Sequence, residues 1–145
     1  MPNPDFFGYQ PPNADTSPRH ARIDAAADTA QKAITAALDG FIDANALMTG
    51  AAGKPGPAQY GMINNACRDL VAEMQAVCAP SADLSAAIRC VRLARMHANN
   101  ALRVDANCFE PAEDAKHAQL QIKQARFQAK AAIALALPAE LPPLT

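Results

Sequence analysis

Pro80-Ser-Ala-Asp-Leu-Ser-Ala-Ala-Ile-Arg-Cys-Val-Arg-Leu-Ala-Arg-Met-His-Ala-Asn-Asn-Ala-Leu102 is the stretch whose reading decides the fold. Ser81 stands where a helix N-cap belongs, because its hydroxyl can accept from an amide of the first turn. Behind it, Leu84, Ile88, Val91, Ala94, Ala98 and Ala101 recur at helical spacing and define one inward face. Upstream, Ala79-Pro80 stops an earlier helix over roughly 58–77, whose stripe is Tyr60, Ile63, Cys67, Leu70, Met74 and Val77. Two amphipathic helices joined by so short a turn must pack antiparallel.

The same pattern extends outward. Ser17-Pro18 predicts an N-cap followed by proline at the first helical position. The helix it opens runs to about Leu47, with Ile23, Ala26, Ala30, Ile34, Ala37, Leu38 and Ile42 near a 3.6-residue period. A breaker cluster follows, Gly50-Ala-Ala-Gly-Lys-Pro-Gly-Pro57. It resembles a phosphate loop only on the surface, since no strand precedes it and no Lys-Ser or Lys-Thr closes it. A last helix begins near Pro111, with Glu113 and Asp114 placed to suit the helix dipole, and ends about Leu137, before Pro138.

These readings predict an all-α four-helix bundle over 18–137, with an extended Pro-rich arm at 1–17 and a loose tail at 138–145. Alanine supplies 35 of the 145 residues, which favours helices in close contact. β-Branched and aromatic runs are scarce, which speaks against a sheet.

The helices resemble one another. Shifted by 31, Ala87, Ala94, Arg95, Ala98 and Ala101 fall on Ala118, Ala125, Arg126, Ala129 and Ala132, while Val91, Met96 and Leu102 fall on Ile122, Phe127 and Ile133. Shifted by 40, His20, Ile23, Ala26 and Ile34 fall on Tyr60, Ile63, Ala66 and Met74. A duplication of this order gives one hairpin nested inside another. Alanine-rich amphipathic helices also align this well without common origin.

Charge and cysteine content narrow the function classes. Residues 1–83 hold five Lys/Arg and nine Asp/Glu, whereas 84–137 hold eight and four. The net charge of −1 argues against bulk nucleic-acid binding but leaves a local basic surface in the second half. The opening residues have neither a basic nor an apolar leader segment, and no apolar run reaches the ~20 residues of a membrane span. Cys67, Cys78, Cys90 and Cys108 form no Cys-x-x-Cys pair, so free thiols are expected. Cys90 and His97 stand seven apart and could share a metal, though a small buried thiol beside a surface histidine is the plainer reading. His20, His97 and His117 have no paired nucleophile in sequence, and Glu113-Asp114 reads better as a helix start than as a general acid and base. No enzyme, metal or cofactor is expected.

The candidate site is basic. Arg92, Arg95 and Asn99 lie at i, i+3 and i+7 on the third helix, with Arg89, Asn100 and Arg103 nearby. Lys123, Arg126 and Lys130 occupy the matching positions on the fourth. Two such stripes side by side would grip the phosphates of a small anion, since guanidinium forks donate paired bonds to phosphate oxygens. Asn99 and Asn100 can donate and accept, as base edges require. The alternative is the solvated face of ordinary helices.

The segment from Tyr60-x-x-Ile63 through Leu70 and Met74, the Pro80-Ser81 turn, and Ser81, Ser85, Ala87, Val91, Ala94, Met96, Ala98, Asn99, Ala101 and Leu102 together resemble a phage helical-hairpin family. That family includes sponges for the cyclic-nucleotide signals of bacterial CBASS and Thoeris immunity. The likeness implies a cytoplasmic protein of the infected host. It would sequester a small nucleotide signal, or a cyclic ADP-ribose relative, without cleaving it, and act as a homo-oligomer joined through helical faces where Ala94, Ala98 and Ala101 permit close approach. The family hairpin also occurs as an accessory oligomerisation module, so the alternative is a phage helical adaptor that binds another protein. Arg89-Cys90-Val91-Arg92-Leu93 departs from the family's Thr-Lys-Leu-Glu-Glu, and His97 stands where an aromatic often follows methionine. Phe7-Gly8-Tyr9-Gln10-Pro11 resembles an aromatic-x-Tyr-x-Pro segment of some members. Phe7 and Tyr9 would stack on bases, or else clamp the arm onto the bundle or a neighbouring subunit.

Overall fold

A computed structural model of the protein describes residues 16–38, 57–102 and 111–135. The described residues form four helices: α1 (Ser17–Leu38), α2 (Pro57–Val77), α3 (Ala82–Ala101) and α4 (Pro111–Leu135). The all-α four-helix bundle expected from the sequence is the observed fold. The arm with Phe7 and Tyr9, the continuation of the first helix from 39 to 47, residues 136–137 and the tail lie outside the described residues.

Local chemistry accounts for the helix starts. At α3, Ser81 is extended (φ −166°, ψ 168°) and its hydroxyl accepts from the Leu84 amide at 3.1 Å, as a cap should. At α1 the start lies one residue earlier than the sequence predicts. The His20 amide donates to the Thr16 carbonyl at 3.0 Å, so Thr16 takes the cap position and Ser17 is already helical. Pro18 is tolerated there because amides of the first turn have no acceptor within the helix.

The helices form a ring in chain order. Each packs on its neighbours in sequence, α4 closes against α1, and α1 touches α3 only slightly across the diagonal. The inner pair α2–α3 and the outer pair α1–α4 of the nested arrangement are both in contact. The tightest packing, however, lies within the sequential hairpins, first α3–α4 and then α1–α2. Alanine explains the first rank, because Ala87, Ala94, Ala98, Ala101, Ala118, Ala125, Ala129 and Ala132 are all fully buried. The larger core side chains come mostly from α1 and α2, as Ile23, Ile34, Ile63, Leu70, Met74 and Val77. Of the expected stripe residues, Ala26, Tyr60 and Ile88 are only half-buried, and Ala27 is buried in place of Ala26. Ala94, Ala98 and Ala101, expected to serve contact between chains, are consumed inside this one.

The internal likeness persists in burial. Ala87, Val91, Ala94, Ala98, Ala101 and Leu102 are buried, and so is each residue 31 positions on. Ile23, Ala27, Ala30, Ile34, Ala37 and Leu38 are buried, and so is each residue 40 positions on.

Polar contacts fix the register of the ring. Arg19 is buried and donates to the Val77 carbonyl at 3.1 Å, satisfying an acceptor at the end of α2. Arg22 grips Glu73 with two bonds of 2.7 and 2.9 Å. The Cys78 thiol donates to the Ala129 carbonyl at 3.3 Å, tying the turn after α2 to α4.

Candidate anion-binding groove

The two basic stripes do not meet. The α3 stripe turns toward α2, and the α4 stripe turns toward α1. On the α1 side the charges are already matched. Asp24 Oδ1 lies 2.7 Å from Lys130 Nζ and 3.7 Å from Arg126 Nε. Arg126 also donates to Asp28, and at 3.3 Å to Gln31. Neither Asp24 Oδ1 nor Arg126 Nε has an aligned hydrogen-bond partner, so that contact is mainly charge attraction. Farther along, Gln119 donates to the Gln31 carbonyl and to the Thr35 hydroxyl, each at 3.1 Å. The expectation that Lys123 and Arg126 join the α3 arginines around one ligand is therefore corrected. Arg126 is occupied by α1 carboxylates, and Lys123 is exposed on α4.

The α2 side is different. A groove of about 270 Å³ between α2 and α3 is lined by Cys67, Arg68, Val71, Ala72, Gln75, Val91, Arg92 and Arg95. Arg68, Arg92 and Arg95 are exposed, and none pairs with a carboxylate among the described residues. Nearby acids are otherwise placed. Glu73 is bound to Arg22, and Asp69 lines the groove on the other side of α2, between α1 and α2. The arginine groove thus has an apolar floor of Val71, Ala72 and Val91 beneath three cations that no acid among the described residues compensates. Cys67 lies in that floor, and burial pushes its thiol up to about 11, an effect that the positive charge of Arg95 partly offsets.

Arg92 and Arg95 come together here as the sequence predicts. Asn99 lies at one end of the same seam, where it donates to Asn64 at 3.3 Å while its own Oδ1 is buried without a partner. Asn100 is half-buried and Arg89 exposed, and neither lines the groove. Arg68 was missed. A search for stripes along one helix does not find a cation contributed singly by its neighbour. The available signal was the 40-residue likeness between the first two helices, which sets Arg68 against Asp28.

The groove between α1 and α2, about 460 Å³, is lined by Ala21, Ala25, Ala26, Thr29 and Ala66, with Arg22 held by Glu73. The outer face of α3–α4 carries histidines rather than a catalytic set. His97 and His117 have ring centroids 5.4 Å apart, and His97 Nδ1 is 2.8 Å from Gln121 Oε1. Cys90 contacts Gln128 at 3.9 Å, so Cys90 and His97 have separate partners. Among the described residues no three His, Cys, Asp or Glu side chains converge as metal ligands, and no helix is long and apolar enough to cross a membrane. Cys67, Cys78 and Cys90 carry free thiols.

Comparison with protein-family models, with curated proteins and with solved structures finds no match to this chain.

Proposed function

We propose that the protein binds a small anionic nucleotide signal, of the cyclic-nucleotide or cyclic ADP-ribose type, and holds it without converting it. The observation that carries this reading is the set Arg68, Arg92 and Arg95, three cations around one groove with no carboxylate partner among the described residues. Like charges gathered this way repel each other unless an anion joins them, so the arrangement favours a bound phosphate. The guanidinium forks take the phosphate oxygens, and Val71, Ala72 and Val91 receive the less polar part of the ligand. The groove is small for a whole dinucleotide, since ligand pockets usually run ~300–1,000 Å³. Part of the ligand therefore stays outside it, within reach of Asn99 at the end of the seam.

The hairpin likeness of Tyr60–Leu102 turns ligand binding into a more specific reading, that of a phage anti-defence sponge acting in the cytoplasm of the infected cell. On that reading the protein is a homo-oligomer. Its contact surface is the outer face of α3–α4, where Leu93, Met96, Leu120 and Phe127 are exposed, Phe127 to 75%. The same face also supports the second reading, an adaptor that docks another protein there.

A thermal-shift panel of cyclic di- and trinucleotides and cyclic ADP-ribose isomers separates the two. A ligand at 100 times its Kd stabilises the fold by ~2.7 kcal/mol, and a sponge returns it chemically unchanged after heating. A charge-assisted hydrogen bond contributes ~1.5–3 kcal/mol, so Arg95→Ala weakens binding about 10- to 100-fold with the helical spectrum intact. Wild-type affinity in the triple change of Arg68, Arg92 and Arg95 to Ala places the site elsewhere. A panel with no shift at all removes the sponge reading in favour of the adaptor.

A further inference from the structure

The α1–α4 and α2–α3 seams correspond at two pairs of facing positions. Moving α1 forward by 40 and α4 back by 31 carries the Asp24–Lys130 pair, at 2.7 Å, onto Asn64–Asn99, which are themselves in contact at 3.3 Å. The same shifts carry Arg126 onto Arg95 and its partner Asp28 onto Arg68. One groove therefore has a carboxylate facing its arginine, and the other has a second arginine in that place.

We propose that each chain holds a single anion site, and that the α1–α4 groove is its internally neutralised twin. In the twin, the Asp28 carboxylate stands where a phosphate of the ligand sits in the α2–α3 groove, against the Arg95 fork. Arg68 replaces the internal anion with a further cation, which is what leaves the place open for a ligand. This inference rests on the ligand-binding reading for what fills the groove. It adds where the phosphate lies and how many sites each chain has. A phosphate monoester or diester suits it, because one tetrahedral anion can be shared between Arg95 and Arg68 from opposite walls.

The test exchanges the twins. Arg68→Asp installs the carboxylate found in the α1–α4 groove, and Arg68→Asn removes the charge with nearly the same helix propensity. In low salt, Arg68→Asp should melt about 1–4 °C above Arg68→Asn, because an exposed ion pair with Arg95 forms. The gap should shrink in 1 M NaCl. An Arg68→Asp protein that melts no higher than Arg68→Asn, or that does not fold while Arg68→Asn does, overturns the equivalence. Calorimetry with inorganic pyrophosphate gives the count. The wild-type chain should bind one equivalent, and a protein carrying both Asp24→Asn and Asp28→Asn, which frees Arg126 and Lys130 together, should bind two. Two equivalents on the wild type, none on it, or no second equivalent on the folded double variant each overturn the proposal. The melting comparison needs no ligand. A raised melting point together with a wild type that ignores every nucleotide would sink the sponge reading while the twin relation stands.

Discussion

Alkaline pH should destabilise this bundle through Cys67, and the size of the effect follows from its burial. The thiol is raised from 9.0 to about 11, first by desolvation and against the pull of Arg95. A group whose folded pKa lies above its unfolded one contributes stability below the unfolded value and loses it as pH climbs through the folded value. The window is thus pH 9 to 11. At pH 10 the unfolded thiol has given up most of its proton while the native one keeps it. The one-unit gap to the unfolded value corresponds to a loss of ~1.4 kcal/mol relative to pH 8. Lysines and tyrosines titrate nearby, so the measurement is a difference. Urea unfolding of the wild type and of Cys67→Ala, each with reductant, is followed at pH 8 and pH 10. Whatever Cys67→Ala costs at pH 8, that cost should fall by ~1.4 kcal/mol at pH 10. A difference constant to within about 0.5 kcal/mol would refute the assignment and mean that the native thiol ionises as readily as the unfolded one.

Two further outcomes test the packing. Leu70 is fully buried in α2, and Leu70→Ala should lower stability by ~2–5 kcal/mol in the same urea assay, the spread reflecting how far the neighbours collapse into the space. A double-mutant cycle on Arg22 and Glu73, whose side chains are 11% and 23% exposed, should return a coupling of ~1 kcal/mol, near the top of the range for exposed pairs because the contact is bidentate and half-buried.

The sequence carried the helices well and the grooves poorly, for separable reasons. Ser81, Leu84 and the alanines behind it specify α3 by contacts within one or two turns, so cap and stripe are legible in a single window. The start of α1 shifted from Ser17 to Thr16 because both residues can cap and Pro18 fits either position. Burial periodicity likewise survives in α4, where Ala118, Ile122, Ala125 and Ala129 face inward. The fate of Arg126 is not a local property. It depends on Asp28, which is 98 residues away in the chain and becomes a neighbour only when α4 closes on α1. Arg95 looks the same as Arg126 within its own helix, yet it faces Arg68 instead of an acid. Which of the two arginines stays available is decided across the groove, and a stripe on one helix does not hold that information. The 40-residue likeness held part of it, once applied to the polar positions as well as the apolar ones.

The alanine seam of α3–α4 has a consequence for how this chain can change. A buried leucine has several aliphatic neighbours in sequence space that cost little. A fully buried alanine has almost none, because a larger residue forces the helices apart and glycine gives up about 1 kcal/mol of helix propensity. Ala87, Ala94, Ala98, Ala101, Ala118, Ala125, Ala129 and Ala132 are therefore bounded on both sides. The Ile, Leu, Met and Val positions of α1 and α2 are free to exchange with one another. Substitutions that survive should collect in the first hairpin, while the second drifts slowly and keeps the close approach of α3 to α4.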